Sequence, residues 1–394
     1  MKNKKLSVGH IHWAYEPIIG GVETHLKILL PDLVKRGIKV GLLTSSVEGY
    51  PNQEKKDGIH IYRTPYLNLD FLVKMKTNEL KNNLIRVYID FINELKPDIL
   101  HVHNFHYFSK THIKTLEYIA KDRDIPIILT AHNVWNDNLF LQIIYDVDWS
   151  HIIAVSHYIK RELWGFGIRE DKITVIHHGI DINLYRPGVD TKKILKKYSQ
   201  LKGKKVVFHP ARVSLAKGGD ISIKAMNLVR RHFKDAFLVL AGNKNIIDWN
   251  GAQQEDFIYM SNLIKRFKME KNILVDAFNR EEMIQLYNLA KVSLYPSTAQ
   301  EPFGLTMLES QACGTPIIVT KSGGMPEVIH DKINGIVIQR EDFSQLAFSI
   351  IYLLGDDELR KRLGDTGREI VCLHYNKELM VNSNIKIYEK VLNK

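Results

Sequence analysis

The sequence has only two cysteines, Cys313 and Cys372, too few for a disulfide framework or a cysteine-based zinc set. No apolar run is long enough to cross a bilayer. The basic start, Met1-Lys-Asn-Lys-Lys5, looks like the head of a secretion signal. The following Leu6-Ser-Val-Gly-His-Ile-His-Trp13 is too short and polar to continue one, and it reads as a first strand. Gly9 is followed by His-Ile-His, not by the spaced glycines of a dinucleotide-binding turn, which argues against a dehydrogenase. Zinc-finger spacing, RNP-like sequence and basic heptads are also missing, so nucleic acid is not an expected partner. These absences suit a cytoplasmic protein.

What remains is ordinary for a globular chain: 45% hydrophobic and 25% charged residues. The net charge of +11 is unevenly spread. Residues 1–185 hold 23 basic and 21 acidic side chains, residues 186–394 hold 32 and 23. An anionic ligand is therefore expected in the second half. The stretch Lys192 to Lys205, with seven lysines, reads as solvated surface.

Short apolar runs alternate with longer amphipathic ones. Lys39–Leu43, Asp98–Val102, Pro126–Thr130 and His151–Val155 read as strands, with helices at 22–36, 80–95 and 156–164. The rhythm resumes with strands at Lys205–Phe208, Ala236–Ala241, Ile273–Val275, Val292–Tyr295 and Pro316–Val319. Helices fit 217–232, 255–268, 281–289, 304–312, 343–354 and 376–392. This is the pattern of βαβ units and parallel sheets, and 394 residues exceed what one core usually organises. The prediction is an α/β fold of two Rossmann-like domains facing a cleft. One spans 1–185, the other 186–375, and a helix covers 376–394. Ligands of such sheets bind at the carboxyl ends of the strands.

Two motifs fall at such ends. Glu301-Pro-Phe-Gly-Leu-Thr-Met-Leu-Glu309 follows a strand and opens a helix near Gly304, where bare amides and the helix dipole suit a diphosphate. Phe208-His-Pro-Ala-Arg212-Val-Ser-Leu-Ala-Lys217-Gly218 also joins a strand to a helix. It offers a guanidinium and an ammonium for phosphate oxygens. In the first half, Gly20-Gly21 enters a helix, and His132 in Leu129-Thr-Ala-His-Asn133 ends a strand.

Together these elements resemble the retaining GT-B glycosyltransferases of family 4 over nearly the whole chain. The family's two glutamates fall on Glu301 and Glu309, and its arginine and lysine on Arg212 and Lys217. Glu309-Ser-Gln-Ala-Cys-Gly-Thr-Pro316 and Gly323-Gly-Met-Pro-Glu327 also look like the family. The resemblance implies that Glu309 holds ribose hydroxyls and that Glu301 lies by the donor sugar. It also implies that Arg212 and Lys217 bind the diphosphate, and that Phe303, Gly304, Leu305 and Thr306 line the donor. It places Gly21 on the donor side, Gly20, Ser156 and His178 on the acceptor side, and His132 near the reacting sugar. It makes 1–185 the acceptor side and 186–375 the donor side, and the final helix would cross back to the first domain.

Three departures stand out. Asn133 replaces an aspartate after the histidine, His178 replaces an asparagine before Gly179, and Ala277 stands where glycine is common beside the base. Asp146-Val-Asp148 is a DxD sequence, but it precedes a strand instead of ending one, so it is not read as a metal site. His10-Ile-His12, His101-Val-His103 and His177-His178 read as core or loop residues, since no further ligand completes a zinc set. The expected activity is metal-independent and cofactor-free transfer of a sugar from a nucleotide-sugar, with UDP the first choice of carrier. The acceptor would be a hydroxyl on a sugar, a small molecule or a lipid-linked molecule, the last implying peripheral contact with a membrane. An epimerase of the same architecture and a non-catalytic nucleotide-sugar-binding protein are the alternatives.

Overall fold

The computed structural model describes residues 5–68, 77–135, 137–242 and 252–393. The chain divides into two units, Met1–Gly179 with Lys377–Lys394, and Ile180–Asn376.

The first unit is built on β1 (Ser7–Ile11), β2 (Lys39–Ser45), β3 (Gln53–Lys56), β4 (Ile59–Thr64), β5 (Ile99–His103), β6 (Ile127–Ala131), β7 (His151–Ala154) and β8 (Ile173–Val175). Their order across the sheet is β3-β4-β2-β1-β5-β6-β7-β8. All pairings are parallel except β3 with β4. Helices α1 (Gly21–Lys35), α2 (Thr77–Leu95), α3 (Lys110–Asp122), α4 (Asn138–Asp146) and α5 (His157–Gly165) form the crossovers. Helix α2 shows why the pattern folds this way. Leu80, Leu84, Tyr88, Phe91, Ile92 and Leu95 recur on one face and are all buried. The central strands are buried along their whole length because both faces are covered, and β5 carries His101 and His103 into that interior.

The second unit is a parallel sheet of β9 (Lys205–His209), β10 (Ala236–Gly242), β11 (Ile273–Ala277), β12 (Val292–Tyr295), β13 (Ile317–Thr320) and β14 (Ile336–Ile338). Its order, β11-β10-β9-β12-β13-β14, is that of a doubly wound nucleotide-binding sheet. Its helices are α6 (Lys192–Lys197), α7 (Gly219–His232), α8 (Ala252–Arg266), α9 (Arg280–Leu289), α10 (Leu305–Ala312), α11 (Met325–Val328), α12 (Phe343–Gly355) and α13 (Asp357–His374). The lysine-rich stretch is more than solvated surface. Lys193 and Lys197 pair with Glu281 and Glu282 of α9, while Ile194 and Leu201 are buried.

The last helix, α14 (Lys377–Leu392), belongs to the first unit. Met380, Val381, Ile387, Tyr388 and Val391 join Leu26, Leu29, Leu30 and Leu33 of α1 in one core. Among the described residues, no helix is long and apolar enough to cross a membrane.

Close packing in the second unit depends on small residues. A Cβ at Gly364 of α13 would sit 2.1 Å from the Gly314 carbonyl oxygen, whereas one at Gly165 of α5 would meet nothing within 4 Å. Gly364→Ala is expected to lower the unfolding free energy by about 1–3 kcal/mol, and Gly165→Ala to leave it little changed. Urea denaturation of the two variants measures the difference.

Candidate active site

In each sheet the strand order reverses at one point, between β9 and β12 in the second unit and between β1 and β5 in the first. Loops leaving the strands there splay apart and leave room for a ligand.

In the second unit, β9 leads to Arg212 and Lys217, and β12 leads to the loop 296–304. Backbone contact holds the two loops together. The Thr298 N–H donates to the Ala216 carbonyl at 3.1 Å, and Ser297 Oγ donates to the same oxygen at 3.0 Å. Gly218 (φ +73°) and Gly323 (φ +51°) lie so close to the loop that a Cβ at either would be 2.0 Å from a carbonyl oxygen, of Pro296 and Glu301 respectively. Only glycine meets both the conformation and the approach.

Side chains gather around Tyr295 at the end of β12. Lys217 Nζ donates to Tyr295 Oη at 3.3 Å and also binds Glu301 Oε1, which Ser297 Oγ holds at 2.9 Å. Burial, with Glu301 adding to it, pushes the Tyr295 hydroxyl well above its ordinary range, and the exposed Arg212 guanidinium opposes the shift. Gly304 begins α10 against the same ring; a Cβ there would lie 3.0 Å from Tyr295 Cε1. Gly304 offers no side-chain cap to the first-turn amides, of which Met307 N–H reaches the Gly304 carbonyl at 3.2 Å. Thr306 Oγ1 is buried with no hydrogen-bond partner. Arg212, Lys217, Glu301, Gly304 and Thr306 thus lie on one edge of one sheet. Cations beside a helix start are the arrangement that receives a diphosphate.

Phe303 and Leu305 flank Gly304. The Phe303 side chain is buried against Tyr375, so this residue has only its backbone to offer a ligand. Glu309 stands a turn further along α10. Its Oε1 accepts from Tyr185 Oη at 3.1 Å and its Oε2 from Tyr287 Oη at 2.7 Å. Burial raises its carboxyl above the usual value, while the two tyrosine bonds and the Arg280 charge hold it down. The tyrosines are new relative to the sequence reading, because nothing in their local sequence marks them as partners of residue 309.

In the first unit, Gly20 caps α1 in extended conformation and Gly21 is its first residue. A Cβ at Gly20 would fall 2.3 Å from Glu23 Oε2, and Glu23 Oε1 lies 3.1 Å from His12 Nε2. His132 follows β6, its backbone N–H held by Asn104 Oδ1 at 2.8 Å. Its ring stacks on His178 (centroids 5.2 Å apart) and meets His25 edge-on at 5.0 Å. His178 Nδ1 is 3.0 Å from His25 Nδ1. The histidine pairs read separately in the sequence join this group, since His103 Nδ1 is 3.1 Å from His132 Nε2 and His103 Nε2 is 3.1 Å from His10 Nδ1. The signal available was the shared face of i and i+2 in adjacent parallel strands, where His10 pairs in register with His101.

Ser156 is fully buried and its Oγ accepts from the Ile159 N–H at 3.1 Å, so the hydroxyl caps α5. Asp146 pairs with Lys110 and Asp148 with Lys172, so each DxD carboxylate is already matched by a lysine.

Comparison with known proteins shows the family and the fold. Residues 190–370 match the model for glycosyl transferases group 1, and residues 19–184 the model for glycosyltransferase family 4. An uncharacterized glycosyltransferase of Methanocaldococcus jannaschii is 26% identical, over 98% of each chain. The N-acetyl-alpha-D-glucosaminyl L-malate synthase of Bacillus anthracis is 26% identical over 95% of each. The crystal structure of Anabaena HepE, solved with UDP and glucose, superposes with a TM-score of 0.78 at 17% identity, covering 98% of this chain and 100% of the other. The fold is therefore GT-B, and the enzyme class is glycosyltransferase. The chain belongs to glycosyltransferase family 4.

Burial holds the imidazoles of His10 and His178 down to about 3 and those of His25, His101, His103 and His132 well below the ordinary 6.5. Folded, they are neutral; unfolded, they take protons near pH 6.5. Unfolding therefore takes up protons below that pH, and stability is retained above it and falls as pH drops toward about 3. Urea unfolding free energies at pH 7, 6 and 5 should decline by more than about 1.4 kcal/mol per pH unit, the slope for one proton. A flat profile would contradict the neutral cluster.

Proposed function

We propose that this glycosyltransferase takes its sugar from a nucleoside-diphosphate-sugar, with UDP the first candidate carrier, and passes it to a hydroxyl with retention of anomeric configuration. The observation that carries the reading is the meeting of Arg212, Lys217 and the start of α10 around Tyr295. Negative charge grows on the diphosphate as the glycosidic bond breaks. Fixed cations and amides aimed at that charge stabilise the transition state more than the ground state. Protein groups supply the countercharge, so the reaction as proposed calls for no metal ion and no cofactor.

Glu309, oriented by Tyr185 and Tyr287, is suited to accept hydrogen bonds from ribose hydroxyls. Glu301, held by Ser297, is suited to the donor sugar. The acceptor hydroxyl attacks from the face that the diphosphate leaves, without a protein nucleophile, and gives its proton to an oxygen of the departing diphosphate. The complex of HepE with UDP and glucose supports the choice of carrier. The acceptor is a hydroxyl compound, and the relative named for L-malate makes a small molecule a suitable first trial.

Thermal-shift measurement with UDP-glucose, GDP-mannose and ADP-glucose tests the donor class, because a specific ligand raises the melting temperature. A rise is expected with one of the three. Arg212→Ala and Lys217→Ala should each lower kcat/KM at least tenfold, or ~1.4 kcal/mol. Losses smaller than that in both variants would remove the phosphate role.

A further inference from the structure

His10, His103 and His132 come from three different strand ends, yet their rings form one continuous chain of nitrogens. His10 Nδ1 and His103 Nε2 are 3.1 Å apart, as are His103 Nδ1 and His132 Nε2. All three rings are buried, His132 at 3% exposure and the others at zero. The two outer nitrogens, His10 Nε2 and His132 Nδ1, are buried without a hydrogen-bond partner.

A neutral imidazole carries one N–H and one bare nitrogen. His103 therefore donates to one neighbour and accepts from the other, and the chain has two polarities. In the first, His10 Nδ1–H donates to His103 Nε2, His103 Nδ1–H donates to His132 Nε2, and His132 is left with a protonated Nδ1. In the second, every proton is reversed: His132 Nδ1 is bare, and His10 carries an N–H at its buried outer nitrogen.

The two differ in what a ligand can repair. In the first, the unmatched N–H is on His132, the one ring of the three with any exposure, where water or a ligand oxygen can accept it, and His10 keeps only a bare acceptor. In the second, an N–H stays enclosed at His10 whatever binds. A buried donor without an acceptor is the rarer and costlier defect.

We infer that His10 and His103 are positioning residues that fix His132 as its Nδ1–H tautomer, making residue 132 a hydrogen-bond donor to ligand oxygen. This rests on the reading of His132 as a site residue and sharpens it. Such a ring gives a hydrogen bond and is not a base awaiting the acceptor's proton. A metal is a weaker account of the same nitrogens. His103 and His132 already bond each other, and both nitrogens of the neighbouring His101 engage hydroxyls, of Tyr388 at 2.8 Å and Thr130 at 2.7 Å.

The test is ring-nitrogen NMR of the full chain labelled with ¹⁵N-histidine, with His132 signals assigned by their loss in His132→Gln. The expected result is a protonated Nδ1 and a bare Nε2 at His132. His103→Phe should release residue 132 toward the Nε2–H form that an isolated neutral imidazole favours. His103→Asn should keep the original tautomer, since its amide N–H takes the place of the ring donor. A protonated Nε2 at His132 in the unmodified protein overturns the inference without any change to His103. So does a His103→Phe spectrum with His132 unchanged, or displacement of the His103 and His132 signals by stoichiometric Zn²⁺. The spectra are recorded without nucleotide or acceptor. A wrong donor class therefore shows in the thermal-shift measurement and leaves this result standing.

Discussion

The backbone clasp around the loop 296–304 is the constraint on which the second unit's chemistry depends. Carbonyl oxygens of Pro296 and Glu301 touch Gly218 and Gly323 so closely that no side chain fits between. The clasp sets the height of Glu301 against Lys217 and the point at which α10 begins. Hydrogen bonds from Ser297, Thr298 and Gly324 then fix the loop from both sides. A site that must hold developing charge gains from donors and cations that need not reorganise, and backbone contact is stiffer than a matching set of side chains.

The first unit follows a different logic. Its strand ends carry imidazoles packed ring on ring, with Glu23 bonded to His12 beside them. Burial keeps the rings of His10, His103 and His132 neutral, and neutral rings satisfy one another only if their protons are ordered. Order at one nitrogen therefore extends across β1, β5 and β6.

Much of the fold was legible because both sheets obey the βαβ rhythm, and α2 shows its buried stripe in plain helical spacing. The polar edge strand β3, Gln53-Glu-Lys-Lys56, was not legible, since it lacks any apolar alternation and is held by its partner β4. At the site, Arg212, Lys217 and Glu301 were readable from motifs that are contiguous in sequence. Tyr185 and Tyr287 were not, because their link to Glu309 spans 124 and 22 residues. The histidine chain was half visible: each His-x-His pair signals a shared face, but their meeting depends on which strands are neighbours. Ser156 shows the converse, a residue matched by family position whose hydroxyl caps a helix.

Helix α14 has a consequence for biosynthesis. It completes the core of the first unit, and Tyr388 reaches His101, yet it is made only after the whole second unit. On the ribosome, the opening 179 residues must wait with the apolar face of α1 uncovered while nearly two hundred more are added. The inserted unit, whose residues are continuous, has every strand it needs before the earlier one can close. Maturation of the nascent chain thus ends at its beginning.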